Sequence, residues 1–148
     1  IFILKRFDHL IPEHGFVTFQ ENKTTQLQAA FMIGEKGNSF CKEVFEYYKS
    51  TPFLNPDGTY NSVISPITMY DVACKRGYLP EDKEQNLADN VTIYPAHYVT
   101  PRHKYFTTSD TFAEHRIYGS WRTRKFGRKV ELYIKHILAT VKYAILKR

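Results

Sequence analysis

The chain has 148 residues, 43% hydrophobic and 16% aromatic, with a formal net charge of +6. This fits one domain or a large part of one, and the apolar content excludes a disordered chain. Residues 122–148 hold nine Lys/Arg and one acid, Glu131, while residues 1–121 hold twelve Lys/Arg and fourteen acids. The segregation argues against a general nucleic-acid-binding domain and for a near-neutral body with a basic appendage.

In chain order, Ile1–Leu4 is an apolar, β-branched run that reads as a buried strand cut at its start, part of something longer. Pro12-Glu13-His14-Gly15 is a turn before a second strand, Phe16–Phe19. A third strand is expected at Ala29–Ile33. Gly37-Asn38-Ser39 caps a helix from about Phe40 to Lys49, whose Phe40, Val44, Phe45 and Tyr48 form one buried stripe. Asn55-Pro56-Asp57-Gly58 is a turn cluster. Ser65-Pro66 opens a second helix, with Ser as cap, which runs to about Arg76 and stops at Gly77. Pro80–Asn90 reads as a surface loop and Val91–Tyr94 as a strand stopped by Pro95. Ala96–Asp110 is irregular, and Thr111–Tyr118 is partly extended.

From about Lys125 the chain is helical: Val130, Tyr133, Ile134, Ile137, Leu138, Val141 and Ile145 recur at helical spacing, with Lys/Arg among the other positions. Strands alternate with helices, so the class is α/β. Cys41 and Cys74 lie in helix-like apolar segments and are expected as buried thiols in a reducing compartment. No apolar run approaches the ~20 residues needed to cross a bilayer. His97 and His103 lack Cys or His partners at zinc spacing.

Several motifs occur in one order. They are Leu4-Lys5-Arg6-Phe7-Asp8-His9-Leu10, Gly15-Phe16, Phe31-Met32-Ile33-Gly34-Glu35-Lys36-Gly37-Asn38 and Ser65-Pro66. Then come Ile93-Tyr94-Pro95-Ala96-His97-Tyr98-Val99-Thr100-Pro101 and His115 with Gly119-Ser120-Trp121. This order resembles glycosyltransferase family 32, a capsular-polysaccharide and mannosyltransferase-like group, over most of residues 1–121. The resemblance implies a Rossmann-like GT-A fold, a nucleotide-sugar donor, Mn²⁺ or Mg²⁺ held by an Asp-x-Asp, and retention of anomeric configuration. The chain contains no Asp-x-Asp. Residues 1–121 are therefore expected to be the C-terminal portion of a catalytic domain, inactive alone, and 122–148 a basic amphipathic helix.

The resemblance makes His115 a candidate metal ligand; the plain alternative is a His bonded to backbone near a strand end. It brings Gly119, Ser120 and Trp121 near the donor diphosphate, where hydroxyl, amide and indole N–H groups can donate to phosphate oxygens. Trp121 could equally be a core aromatic pinning the last helix. Arg116 stands where many relatives carry a second His, and it either pairs with phosphate or faces water. No nucleophile is identified. Gln28, Ser65, Tyr94 and Tyr98 are expected to meet the acceptor, a glycan or lipid-linked glycan of capsule, O-antigen or similar surface polymers.

The amphipathic tail has two readings. It docks the enzyme on the inner, cytoplasmic face of an anionic membrane, or it packs its stripe on the domain and leaves its charges in water. The alternative to an enzyme is a carbohydrate-binding or membrane-docking module without chemistry. No nucleic-acid motif is present, so no nucleic-acid partner is expected.

Overall fold

The computed structural model describes residues 1–21, 25–99 and 107–115, and eight positions between 127 and 145. The elements in chain order are β1 (Phe2–Ile3), β2 (Phe16–Phe19), β3 (Ile33–Gly34), α1 (Ser39–Ser50), α2 (Ser65–Cys74), β4 (Gln85–Leu87), β5 (Val91–Tyr94) and β6 (Ala113–Glu114). The protein is a mixed α/β fold with two helices and two sheets among the described residues.

The main sheet has the order β3-β2-β5-β4, with β2 and β5 parallel and both outer pairs antiparallel. β2 reads Phe-Val-Thr-Phe, with no polar alternation, because it is central and covered on both faces. Phe16 joins Phe40, Met69, Val72 and Ala73 on the helix side. Val17 and Phe19 join Leu10, Val99 and Phe112 on the other side, where Phe7, Phe31, Tyr94 and Tyr98 complete an aromatic layer. The Phe19 ring lies 5.4 Å from Phe112 and 5.8 Å from both Phe31 and Tyr94. The buried Thr18 hydroxyl donates to the Gln28 carbonyl at 2.8 Å, so the one polar side chain of β2 is satisfied.

The helices begin and end for local reasons. Asn38 caps α1, its side chain accepting from the Phe40 amide at 2.9 Å. Pro66 sits in the first turn of α2, where an amide hydrogen is not needed. After α2, Gly77 adopts φ +92°, and its amide and that of Tyr78 donate to Cys74 and Ala73. This left-handed stop is the one expected from the sequence. Arg76, with 9% of its side chain exposed, ties the two helices to the β4–β5 turn. It donates to Glu43 at 2.6 Å and Asp89 at 3.1 Å and lies over the Phe40 ring.

Several sequence expectations are corrected. Ile1–Leu4 contains a strand, but it is not buried: Ile3 is 52% exposed. Among the described residues β1 pairs with β6, outside the main sheet. The strand expected at Ala29–Ile33 shrinks to Ile33–Gly34 because the Gln28 side chain takes the Ala30 amide at 2.9 Å, away from any ladder. Of the α1 stripe only Phe40 is buried, and Phe45 is 61% exposed. The helix is about 18 Å long and β2 about 13 Å, so the sheet is shorter than the helix lying on it. Ser65 makes no side-chain cap; Ile64 is the capping residue. The expected loop Pro80–Asn90 contains β4, paired with β5. Cys41 and Cys74 are free and exposed, not buried. Partial desolvation still pushes the Cys41 thiol up.

In the C-terminal segment Gly127, Val130, Glu131, Ile134, Ile137, Leu138, Val141 and Ile145 are helical, as the periodicity predicts. The apolar positions among them are all exposed. Among the described residues, no helix is long and apolar enough to cross a membrane.

Candidate functional site

Parallel strands leave a crevice at their carboxyl ends, where connections depart and backbone groups are open to a ligand. Here those ends are Phe19 of β2 and Tyr94 of β5, which are partners in register. Gln20 continues the pairing, its amide donating to the Tyr94 carbonyl at 2.9 Å. The chain then turns, the Glu21 amide donating to Gln26 and the Gln28 amide to Phe19. A later segment returns alongside: Phe112 donates to Tyr98 and His115 to Val99, at 3.0 and 2.9 Å. These two connections bring Glu21, Gln28 and His115 together.

The His115 Nδ1 atom lies 3.0 Å from Gln28 Nε2 and 3.7 Å from Glu21 Oε1. Gln28 is fully buried, and the Glu21 and His115 side chains are 13% and 24% exposed. The Ala30 amide can only donate, and it donates to Gln28 Oε1. The other amide atom of Gln28 is therefore the NH₂ group, a donor. Nδ1 of His115 is placed to accept from it, and the imidazole lies beside a largely buried carboxylate. If Glu21 replaced Gln28 as the partner of Nδ1, the ring proton would lie on that side and leave the Nε2 lone pair free for a cation.

Gln20 lies beside this crevice and is fully buried. Its Nε2 donates to the Glu81 carbonyl at 2.7 Å and contacts the Tyr78 hydroxyl. Its Oε1 is buried without a hydrogen-bond partner among the described residues, a state that costs about 1–3 kcal/mol. Burial pushes the Tyr78 phenol up.

The residues expected from the sequence divide into groups. His115 and Gln28 are joined directly. Tyr94 and Tyr98 stack at 5.2 Å, packed against Phe19 and half-buried, and burial pushes both phenols up. Ser65 lines a different feature, an apolar cleft of about 260 Å³ with Phe16, Met32, Phe40 and Phe45 on the helix side. Arg116, Gly119, Ser120, Trp121 and His103 lie outside the described residues. His97 meets Asp110 at 3.9 Å. Among the described residues no three or more His, Cys, Asp or Glu side chains converge as a metal site.

Sequence reasoning missed Glu21 and Gln20. The available signal was two polar residues directly after a wholly apolar-flanked strand, at the end where α/β sheets bind ligands. The chain matches no family model, no curated protein and no solved structure.

Proposed function

We propose that this chain forms one wall of the active site of a metal-dependent, retaining glycosyltransferase of the GT-A type. It would move a hexose from a nucleotide-sugar donor to a polysaccharide or lipid-linked glycan, as in capsule, O-antigen or similar surface-glycan synthesis. The observation that carries the reading is the convergence of Glu21, Gln28 and His115 at the carboxyl ends of β2 and β5. The resemblance of its motif order to that of glycosyltransferase family 32 supports it.

On this reading the His115 ring exchanges Gln28 for Glu21 as the partner of Nδ1, so that Glu21 accepts from Nδ1–H and Nε2 is offered to Mn²⁺ or Mg²⁺, the usual arrangement for a metal-bound imidazole. The remaining ligands are aspartates from outside these 148 residues, since the sequence has no Asp-x-Asp. Such a cation, when bound, neutralises charge on the departing diphosphate. Gly119, Ser120, Trp121 and Arg116 follow closely in sequence and supply donors to the diphosphate. Gln28, Tyr94 and Tyr98 remain the acceptor candidates, whereas Ser65 lines the apolar cleft on the helix side, apart from them. Transfer to a lipid-linked acceptor would occur at the inner, cytoplasmic face of a membrane.

The test is release of nucleoside diphosphate from nucleotide sugars by the complete protein that carries this chain, with and without Mn²⁺. His115→Ala is expected to abolish metal-dependent turnover, since it removes a direct ligand. Unchanged turnover removes His115 from the site, and no turnover with any nucleotide sugar overturns the transferase reading.

One observation favours a second reading, a carbohydrate-binding module. Phe53 and Tyr60 stack at 5.1 Å on a small hairpin, 71% and 68% exposed, and flat aromatic faces of this kind suit sugar rings. Glycan-array binding that is lost in Tyr60→Ala, without any donor turnover, would select it.

A further inference from the structure

The apolar stripe of the C-terminal segment is read from the sequence as a membrane-docking face or as a packing surface, and among the described residues it is left exposed. Val130, Ile134, Ile137, Leu138, Val141 and Ile145 are 40%, 49%, 43%, 62%, 51% and 67% exposed. All six are helical and fall within a span of about 23 Å along one side of a helix. A stripe this long is unusual on a free protein surface and calls for a partner.

Three occupants compete. The protein's own body is not covering the stripe, as the exposures record. A second copy would bring two segments spanning 122–148 together, each +8 with nine Lys/Arg and the single acid Glu131, so like charge opposes the pairing. A surface of negative charge over an apolar interior satisfies both features. The side chains at helical spacing enter the acyl boundary, and the cations meet the headgroups.

We propose that residues 127–148 dock this chain in the plane of a membrane interface rich in anionic phospholipid, with Ile134, Ile137, Leu138 and Val141 as the inserted residues. The body contributes little to the attraction because residues 1–121 carry a net charge of −2. The segment does not span the bilayer: it has a charged residue every few positions and is peripheral by composition. The inference concerns how the chain reaches a membrane, and it holds for a binding module as well as for a transferase.

Cosedimentation of the full 148-residue chain with vesicles tests it. Binding is expected with phosphatidylglycerol–phosphatidylcholine vesicles and not with pure phosphatidylcholine, and should fall about tenfold or more from low to high salt. Ile134→Glu with Leu138→Glu should reduce binding by a similar factor while the thermal melt is unchanged, since both positions are exposed. Equal binding by this double variant, or no binding to anionic vesicles, overturns the proposal. So does a salt-resistant dimer in light scattering that the double variant dissociates, because the stripe is then a self-association face. His115→Ala should leave vesicle binding intact, so loss of sugar transfer and loss of docking are separate outcomes.

Discussion

β2 and the C-terminal segment are both marked by apolar residues, a near-continuous run in one and a helical period in the other, and the structure treats them oppositely. The β2 side chains are 0–2% exposed, while the stripe from Val130 to Ile145 is 40–67% exposed. The period of a pattern tells which residues share a face. It does not tell what that face meets. β2 is covered because it is central in the sheet, with helices on one side and an aromatic layer on the other. The tail has the pattern without a layer to meet.

The sharpest test of that contrast is truncation of one residue in each region. Phe19→Ala should cost about 4 kcal/mol in urea unfolding, because the ring is fully buried among Phe31, Tyr94 and Phe112. Leu138→Ala should change stability by less than about 0.5 kcal/mol. A large loss at Leu138 would mean that the tail is packed in solution and would break the comparison.

The body also contains a charged tie between its helices and the β4–β5 turn. Arg76→Ala should destabilise by about 2 kcal/mol, less than the ~3–5 kcal/mol of a fully buried pair, because Glu43 and Asp89 remain partly hydrated. An effect within error would assign the helix–turn contact to packing alone.

The smallest effect concerns pH. Hydrogen bonds from Lys75 and Arg76 hold the Glu43 carboxyl below its ordinary value. A depressed folded pKa adds stability above the unfolded pKa, and that stability is lost as pH falls through the folded value. The stability difference between wild type and Glu43→Gln should therefore be constant above about pH 5 and shrink below it. A difference that grows with acid would reverse the assignment. Partial exposure of Glu43 keeps the whole effect small.

Much of the fold was legible. Phe16–Phe19 and Val91–Tyr94 are strands at the expected bounds, and Gly77 ends the second helix as a left-handed stop. These depend on neighbours a few residues apart. The expected strand at Ala29–Ile33 failed for a local reason that propensity does not carry: the Gln28 side chain captures the Ala30 amide. The expected burial of Phe45 and Tyr48 failed because a period marks a face without stating the width of the sheet beneath it. β1 is extended as expected, yet its partner is β6, more than a hundred residues later, and both its residues stay exposed.

The candidate site was legible only in halves. His115 and Gln28 were each singled out, for metal and for acceptor, without any indication that they touch. Glu21 carried no motif.

The sequence by itself determined the segregation of charge, the helical period of the tail, the central apolar strand and the turns that bound the helices, because each is set by composition or by short-range sterics. Only the tertiary structure decided that Glu21, Gln28 and His115 meet in one cluster. Their meeting requires β2 and β5 to pair in parallel and the 112–115 segment to return along Tyr98 and Val99. It also decided that the basic helix leaves its stripe to water. Both outcomes rest on which surfaces remain after the core has closed, and no local pattern encodes that.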